Sequence, residues 1–352
     1  MDFEKERTRI LMEMLAEKET VLRIGLIGQP GAGKSSLINR LLGRELFAVG
    51  VHTDTTTEAQ QEKYNDLEIV DLPGYGTGRF PLESWLTEFR PQELDMYIFV
   101  FDGKLHDADG EMFRLLWKWR QERQHPFFIV RNKCDDIWEP NRSEEELRAD
   151  IVADVRGKLG DEGVPVYFTS CRSGEGIDIL KQAIRTEDRL GVKKSKIIAN
   201  FRAESVEELA EKKLLAEKAV NNYAVIAAVN GINPLPGVDI SVDVGVIKTM
   251  MGKIRDIYNI DSEEMSKYEV LAPLLKKVTA FFSEDAILSL VKTFASEELA
   301  KSVGKYVPFI GMSLAAGAGY LMTKKIGDRY NEDCYRLMSG YIEEVISKNA
   351  KR

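Results

Sequence analysis

The segment Gly28-Gln29-Pro30-Gly31-Ala32-Gly33-Lys34-Ser35 sets glycines, a lysine and a hydroxyl in the order GxxxxGKS. Each residue type has a task on phosphate. Glycines let the backbone wrap the oxygens, successive N–H groups and a helix N-terminus attract negative charge, Lys34 reaches the terminal phosphates, and the Ser35 hydroxyl can ligate Mg²⁺. Gly28, Pro30, Gly31, Ala32, Gly33 and Ser36 complete the expected phosphate contacts of this loop and the first helical turn.

Asp71-Leu72-Pro73-Gly74 closes the apolar run LEIV. A carboxylate ending a strand beside a phosphate loop can hold Mg²⁺ through water, and the Gly74 N–H can sense a γ-phosphate. Asn132-Lys133-Cys134-Asp135 follows the run FFIV. There a carboxylate accepts from both N1–H and the exocyclic amine of guanine, whereas adenine offers the opposite pattern. Asp135 would therefore reject ATP while Lys133 covers the ring. Thr169-Ser170-Cys171 follows VPVYF; Ser170 and Cys171 are either the loop over the guanine edge or a plain strand-to-turn segment. Between the first two motifs lies HTDTTTE, with Thr53, Thr55, Thr56 and Thr57. One threonine there would complete Mg²⁺ coordination and let go after hydrolysis, with Thr57 the first choice and Thr56 the second. The expected catalytic set is Lys34, Thr57 and Gly74, the metal set Ser35, Thr57 and Asp71, and the ligand GTP or GDP with Mg²⁺.

These motifs need strands to aim them. From Val21 to about Thr186 short apolar runs alternate with longer helical patterns, the signature of an α/β domain with a mostly parallel sheet. Strands are expected at Val21 to Ile27, Leu67 to Val70, Met96 to Phe101, Phe127 to Val130 and Val166 to Thr169. Gln60 to Tyr64 could form a hairpin with the second of these across Asn65-Asp66. Helices are expected at Lys34 to Leu42, Pro81 to Phe89, Gly110 to Glu122, Ser143 to Leu159 and Ile177 to Ile184. Beyond Leu190 only helical periodicity continues, interrupted by Gly231, Pro234, Pro236, Gly237, Pro308 and Gly311. The expected division is a helix over 1–20, a sheet domain over 21–190 and a helical domain over 191–352. Phe3, Ile10, Leu11, Met14 and Leu15 give the N-terminal helix an apolar face that should pack on the C-terminal helices.

The chain has 352 residues, enough for two cores, with 44% hydrophobic and 30% charged residues. A net charge of -8 disfavours nucleic acid as a partner. Cys134, Cys171 and Cys334 have no metal-ligand spacing and point to a reduced, cytoplasmic compartment. The charged N-terminus lacks the apolar stretch of a secretory signal, and Asp2 excludes N-myristoylation. His52, His106 and His125 are scattered and receive no catalytic role. Leu116-Trp117-Lys118-Trp119 is expected to divide between core and rim.

With these residues in hand, 21–190 resembles the translation-factor-related GTPases, in the branch that includes ribosome-assembly, septin and immunity-related GTPases. NGINPLPGVDISVDVGVIKTMMGKIRDIYNI and YVPFIGMSLAAGAGYLMTKKIGDRY resemble the helical domain of the immunity-related members. The resemblance implies a six-stranded GTPase sheet, an all-α domain built from the N-terminal helix and everything after 190, nucleotide-dependent dimerisation through the nucleotide face, and peripheral attachment to membranes. The sequence departs from small signalling GTPases at Tyr75, where those carry a water-orienting Gln. A partner subunit or the segment Gly76-Thr77-Gly78-Arg79 would then supply catalytic groups. The alternatives are a ribosome-assembly GTPase and a nucleotide-gated scaffold with little turnover. Val303 to Met322 has the length of a bilayer crossing, but Lys305, Pro308 and its Gly/Ala content favour a buried helix packed through Gly311, Ala315 and Gly319, with an interfacial or switchable membrane contact as the alternative.

Overall fold

An uninterrupted apolar run such as Met96-Tyr97-Ile98-Phe99-Val100-Phe101 can be kept from water only when both faces of its strand are covered. That is its situation here. In the computed structural model, which describes residues 3–47, 60–75, 81–161, 163–230, 244–281, 283–295 and 314–349, this run is a central strand with every residue buried. The calls on Thr53, Thr55, Thr56 and Thr57, on Gly76 to Arg79, on Gly231 to Gly237, and on Pro308 and Gly311 lie outside the described residues.

The chain divides into two compact units, Thr20–Phe201 and Met1–Glu19 with Arg202–Arg352. The first holds a six-stranded sheet in the order β2-β3-β1-β4-β5-β6. Its strands are β1 (Leu22–Gly28), β2 (Gln60–Tyr64), β3 (Leu67–Asp71), β4 (Met96–Phe101), β5 (Phe127–Arg131) and β6 (Val166–Phe168). All neighbours pair in parallel except β2 with β3, the expected hairpin, whose turn uses Asn65 at a positive φ. The sequence periods of two and 3.6 place the core. Met96, Ile98 and Val100 face α2 (Lys34–Leu42) and α6 (Ile177–Thr186), whereas Tyr97, Phe99 and Phe101 face α3 (Leu82–Phe89), α4 (Asp107–Arg123) and α5 (Glu144–Leu159). Phe99 meets Phe113 edge to face at 4.5 Å. Trp119 is buried and Trp117 half-buried on α4, the division expected of that pair.

Two boundaries differ from the sequence reading. Helix α4 starts at Asp107, ahead of Gly110, because Asp109 accepts from the His106 N–H and caps the first turn. The sheet unit also continues past 190. Asp188–Lys193 is a 3₁₀ segment and Lys194–Asn200 is helix α7. Their Leu190 and Ile197, with Phe201, are buried in the core on the α2 side, while Lys193 pairs with Asp95 at 2.6 Å and Lys196 with Asp66 at 3.0 Å.

The second unit is helical among its described residues: α1 (Phe3–Glu19), α8 (Val206–Asn230), α9 (Val244–Tyr258), α10 (Ser262–Met265), α11 (Ala272–Ala280), α12 (Glu284–Ala295) and α13 (Leu314–Asn349). Ile10 of α1 is buried with Val225, Ile226 and Ala228 of α8, with Leu11 and Met14 beside them. Leu15, expected on that face, is 56% exposed. Helix α13 crosses at Gly327, where a Cβ would stand 2.7 Å from Val220 and 2.9 Å from Met250. Among the described residues no helix is long and apolar enough to cross a membrane.

Candidate nucleotide site

In a parallel sheet, ligands collect at the carboxyl ends of the strands where successive connections leave on opposite sides. Strand β1, between β3 and β4, is that point, and the GxxxxGKS loop grows from its end. Gly28 is required by backbone packing: its φ is +138°, and a Cβ would lie 2.0 Å from the Val100 carbonyl oxygen of β4. The loop then turns into α2. Gly33 caps this helix without a side-chain hydrogen bond, so the first N–H groups of Lys34, Ser35 and Ser36 keep the electrostatic attraction of a helix N-terminus for an anion. Pro30 and Gly31 lie exposed at the loop's outer side, and Ala32 is buried beneath it.

Lys34 is 7% exposed and curls back over the loop, its Nζ 3.5 Å from the Gly28 carbonyl, 3.4 Å from that of Gln29 and 3.9 Å from Asp71. Asp71, at the end of β3, is 1% exposed and accepts from the Ser35 hydroxyl at 2.8 Å. Burial raises the Asp71 carboxyl pKa above the usual range and lowers that of the Lys34 ammonium, and each partner's charge opposes the shift. The second Asp71 oxygen is buried with no hydrogen-bond partner. A carboxylate oxygen left unmatched beside a serine hydroxyl is a hard, oxygen-only donor set, which suits Mg²⁺.

The turn after Asp71 is tied down at each step. The Leu72 N–H donates to the Leu26 carbonyl at 3.0 Å, and the buried Trp85 indole donates to the Pro73 carbonyl at 2.9 Å. Gly74 presses on the phosphate loop, where a Cβ would come 2.9 Å from Pro30. Tyr75 is buried and gives its hydroxyl to Asp109 at 2.7 Å. Burial, with Asp109 beside it, pushes the phenol pKa well above its usual value, so it stays a protonated donor.

The base-reading segment follows β5. Asn132 is 2% exposed and bridges two motifs: its Nδ2 donates to the Ala32 carbonyl at 2.8 Å, and its Oδ1 accepts from the Thr169 hydroxyl at 3.2 Å and the Cys171 thiol at 3.6 Å. Lys133, at a positive φ, donates to the Gly31 carbonyl at 2.8 Å and pairs with Asp102. The Asp135 carboxyl is held below its usual pKa first by the Ser170 hydroxyl, with Arg172 adding to the effect. Arg172 forms an ion pair with Asp135 and reaches Asp136 at 3.3 Å.

The geometry thus gathers Gly28 to Ser36, Asp71, Gly74, Asn132, Lys133, Asp135, Ser170 and Cys171 at one edge of the sheet. Asp102, Asp109 and Arg172 join them without having been singled out. Asp102 carried a usable signal, since it directly follows the apolar β4 much as Asp71 closes β3. Arg172 follows Ser170-Cys171 directly. Asp109, inside a charged helical pattern, carried none.

Comparison with known proteins agrees with this geometry. The family of 50S ribosome-binding GTPases matches residues 23–133. A probable GTP-binding protein EngB of Solibacter usitatus is 31% identical over 179 residues, covering 46% of this chain and 84% of its own. The class is therefore settled by sequence as well as by fold. Interferon-inducible GTPase 5 of Bos taurus is 24% identical over 375 aligned positions, 95% of this chain and 78% of the relative. Interferon-gamma-inducible GTPase 10 of Mus musculus is 28% identical over 153 residues, 38% of this chain, and the match spans 36% of that relative's length. The chain belongs to the P-loop GTPases, and its likeness along both units is to the interferon-inducible, immunity-related members.

Proposed function

We propose that the chain binds GTP and GDP with Mg²⁺ at this edge of the sheet, hydrolyses GTP to GDP and phosphate, and couples the cycle to self-association through the nucleotide face. The observation that carries the reading is the Asn132 bridge, which joins a base-reading loop ending in Asp135 to the phosphate loop at Ala32. Asp135 would accept from the guanine edge with Lys133 over the ring, and Ser170 and Cys171 would close the loop around it. Lys34 and the backbone N–H groups from Gly31 to Ser36 would hold the phosphates, with Gly28 and Pro30 shaping the loop, and Gly74 would meet the γ-phosphate. Ser35 and Asp71, with Thr57 as the expected third residue, would hold Mg²⁺, which would supply neutralisation of phosphate charge.

Self-association answers a deficit. The Tyr75 hydroxyl is committed to Asp109 and does not orient an attacking water. A second copy, or Arg79, would supply the missing group, and contact with a membrane surface belongs to the same proposal by likeness to the immunity-related members. The commitment of Tyr75 also favours one competing reading, a nucleotide-gated module of low turnover.

The test is GTP turnover per molecule over about a hundredfold range of protein concentration, with ATP as competitor and Lys34→Ala as control. Specific activity that rises with concentration and ignores ATP supports assembly-activated hydrolysis. Constant specific activity counts against assembly, and binding without turnover leaves the gated module.

A further inference from the structure

Asp109 lies in none of the nucleotide motifs, yet it is 3% exposed and three donors converge on its carboxylate. Oδ1 accepts from the Tyr75 hydroxyl at 2.7 Å; Oδ2 accepts from Gln29 Nε2 at 2.9 Å and from the His106 backbone N–H at 2.7 Å. The donors come from three places: the residue after Gly74, the second residue of the phosphate loop, and the start of α4. A buried carboxylate holding short, charge-assisted bonds is a stiff joint.

The surroundings fix what the joint controls. Tyr75 is backed by Trp85 at 5.7 Å edge to face and by Phe99 at 6.4 Å, and Trp85 also holds the Pro73 carbonyl. Gly74 is thus gripped from both sides while it presses on Pro30. Gln29 donates also to the Lys104 carbonyl at 2.9 Å, which anchors the other side of the contact. A cavity of about 310 Å³, lined by Gly28, Gln29, Pro30, Tyr75, His106 and Asp109 among others, adjoins the joint, so the turn has room to shift when a bond is lost.

We propose that Asp109 is a positioning residue: through Tyr75 and Gln29 it sets the placement of the Gly74 turn against the phosphate loop, and thereby the preference for GTP over GDP and the rate of cleavage. The proposal rests on the GTPase reading above. A group acting through the γ-phosphate alone leaves GDP binding untouched, whereas a bond that merely stabilises the fold does not distinguish the two nucleotides.

The experiment compares wild type, Tyr75→Phe, Asp109→Asn and the double variant. For each, GDP affinity, affinity for a GTP analogue with an imido β,γ-bridge, single-turnover GTP cleavage and the melting temperature are measured. Tyr75→Phe keeps the ring packing and loses only the hydroxyl. It is expected to leave GDP affinity within about twofold, to weaken the analogue by about tenfold and to slow cleavage by at least as much. The double variant is expected to lose less than the sum of the two single losses, because Tyr75 and Asp109 share a contact. Parallel changes for GDP and analogue, or a lowered melting temperature with neither affinity moved, would overturn the proposal. Gln29→Ala repeats the comparison should Asp109→Asn fail to fold. Wild-type protein that binds no guanine nucleotide overturns the GTPase reading and this proposal together. Binding without turnover overturns only the hydrolysis reading, and the ratio of analogue to GDP affinity still decides.

Discussion

Asn132→Ala is the sharpest test of the base-to-phosphate bridge. Truncation removes the Nδ2 donor held by the Ala32 carbonyl at 2.8 Å and the Oδ1 acceptor met by Thr169 at 3.2 Å. Ala32 and Thr169 are both fully buried, so water does not readily replace the lost partners. An unmatched buried carbonyl costs about 1–3 kcal/mol and the lost hydroxyl bond about 1 kcal/mol more. The sum of roughly 2–4 kcal/mol is shared between folding and binding, because the bridge orders two segments that the nucleotide also orders. Titration with a fluorescent GDP in the presence of Mg²⁺ should show affinity reduced by at least about tenfold, and scanning calorimetry a melting temperature lower by several degrees. The contact with Gly33, where a Cβ would stand 2.5 Å from Nδ2, predicts that Gly33→Ala reproduces the binding defect. Asn132→Ala protein with wild-type GDP affinity and an unchanged melting temperature would refute the bridge as the link between the motifs.

Three further outcomes follow from single groups. Asp135→Asn replaces an acceptor by a donor at the position facing the 2-amino group of guanine, so GTP binding should fall by about a hundredfold and xanthosine triphosphate, with a carbonyl there, should bind better; competition assays with both nucleotides decide. Arg172 occupies Asp135 with an ion pair, so Arg172→Ala should speed GDP association about twofold to fivefold at low salt and less at high salt; slower association would make Arg172 a ligand contact instead. Burial lowers the His125 pKa below its unfolded value, so its stability contribution is complete above pH 6.5 and fades as pH falls through the lower folded value; His125→Gln should lessen the drop in melting temperature between pH 7 and about pH 5.5, and an identical drop would remove His125 as a cause.

The parts of the site that were legible in the sequence are those whose chemistry is carried by neighbours along the chain. GxxxxGKS names its own strand, loop and helix, and α2 runs from Lys34 to Leu42 as its pattern required. The Asn65-Asp66 turn likewise announced its hairpin. Asp109 was illegible because its role comes from partners 34 and 80 positions away, a relation with no local period. The end of the sheet unit was misjudged for a similar reason. Gly191 and the basic residues after it resemble a linker, and it is the pairing of Lys193 with Asp95 and Lys196 with Asp66, with the burial of Leu190, Ile197 and Phe201, that shows they belong to the sheet unit. Leu15 illustrates the converse, since an apolar residue at the right helical spacing need not be covered.

Several polar contacts around the nucleotide motifs share one property: each joins segments that lie far apart along the chain. Ser35 meets Asp71, Asn132 meets Ala32, Lys133 meets Gly31 and Asp102, and Tyr75 meets Asp109, which meets Gln29. A ligand that orders one segment therefore lowers the entropy cost of ordering the next, so base and phosphate contacts should reinforce one another. Two independent half-sites would instead bind guanosine and inorganic pyrophosphate without mutual effect. The bridges make the opposite demand on this fold: saturating guanosine should tighten pyrophosphate, and by linkage pyrophosphate should tighten guanosine by the same factor.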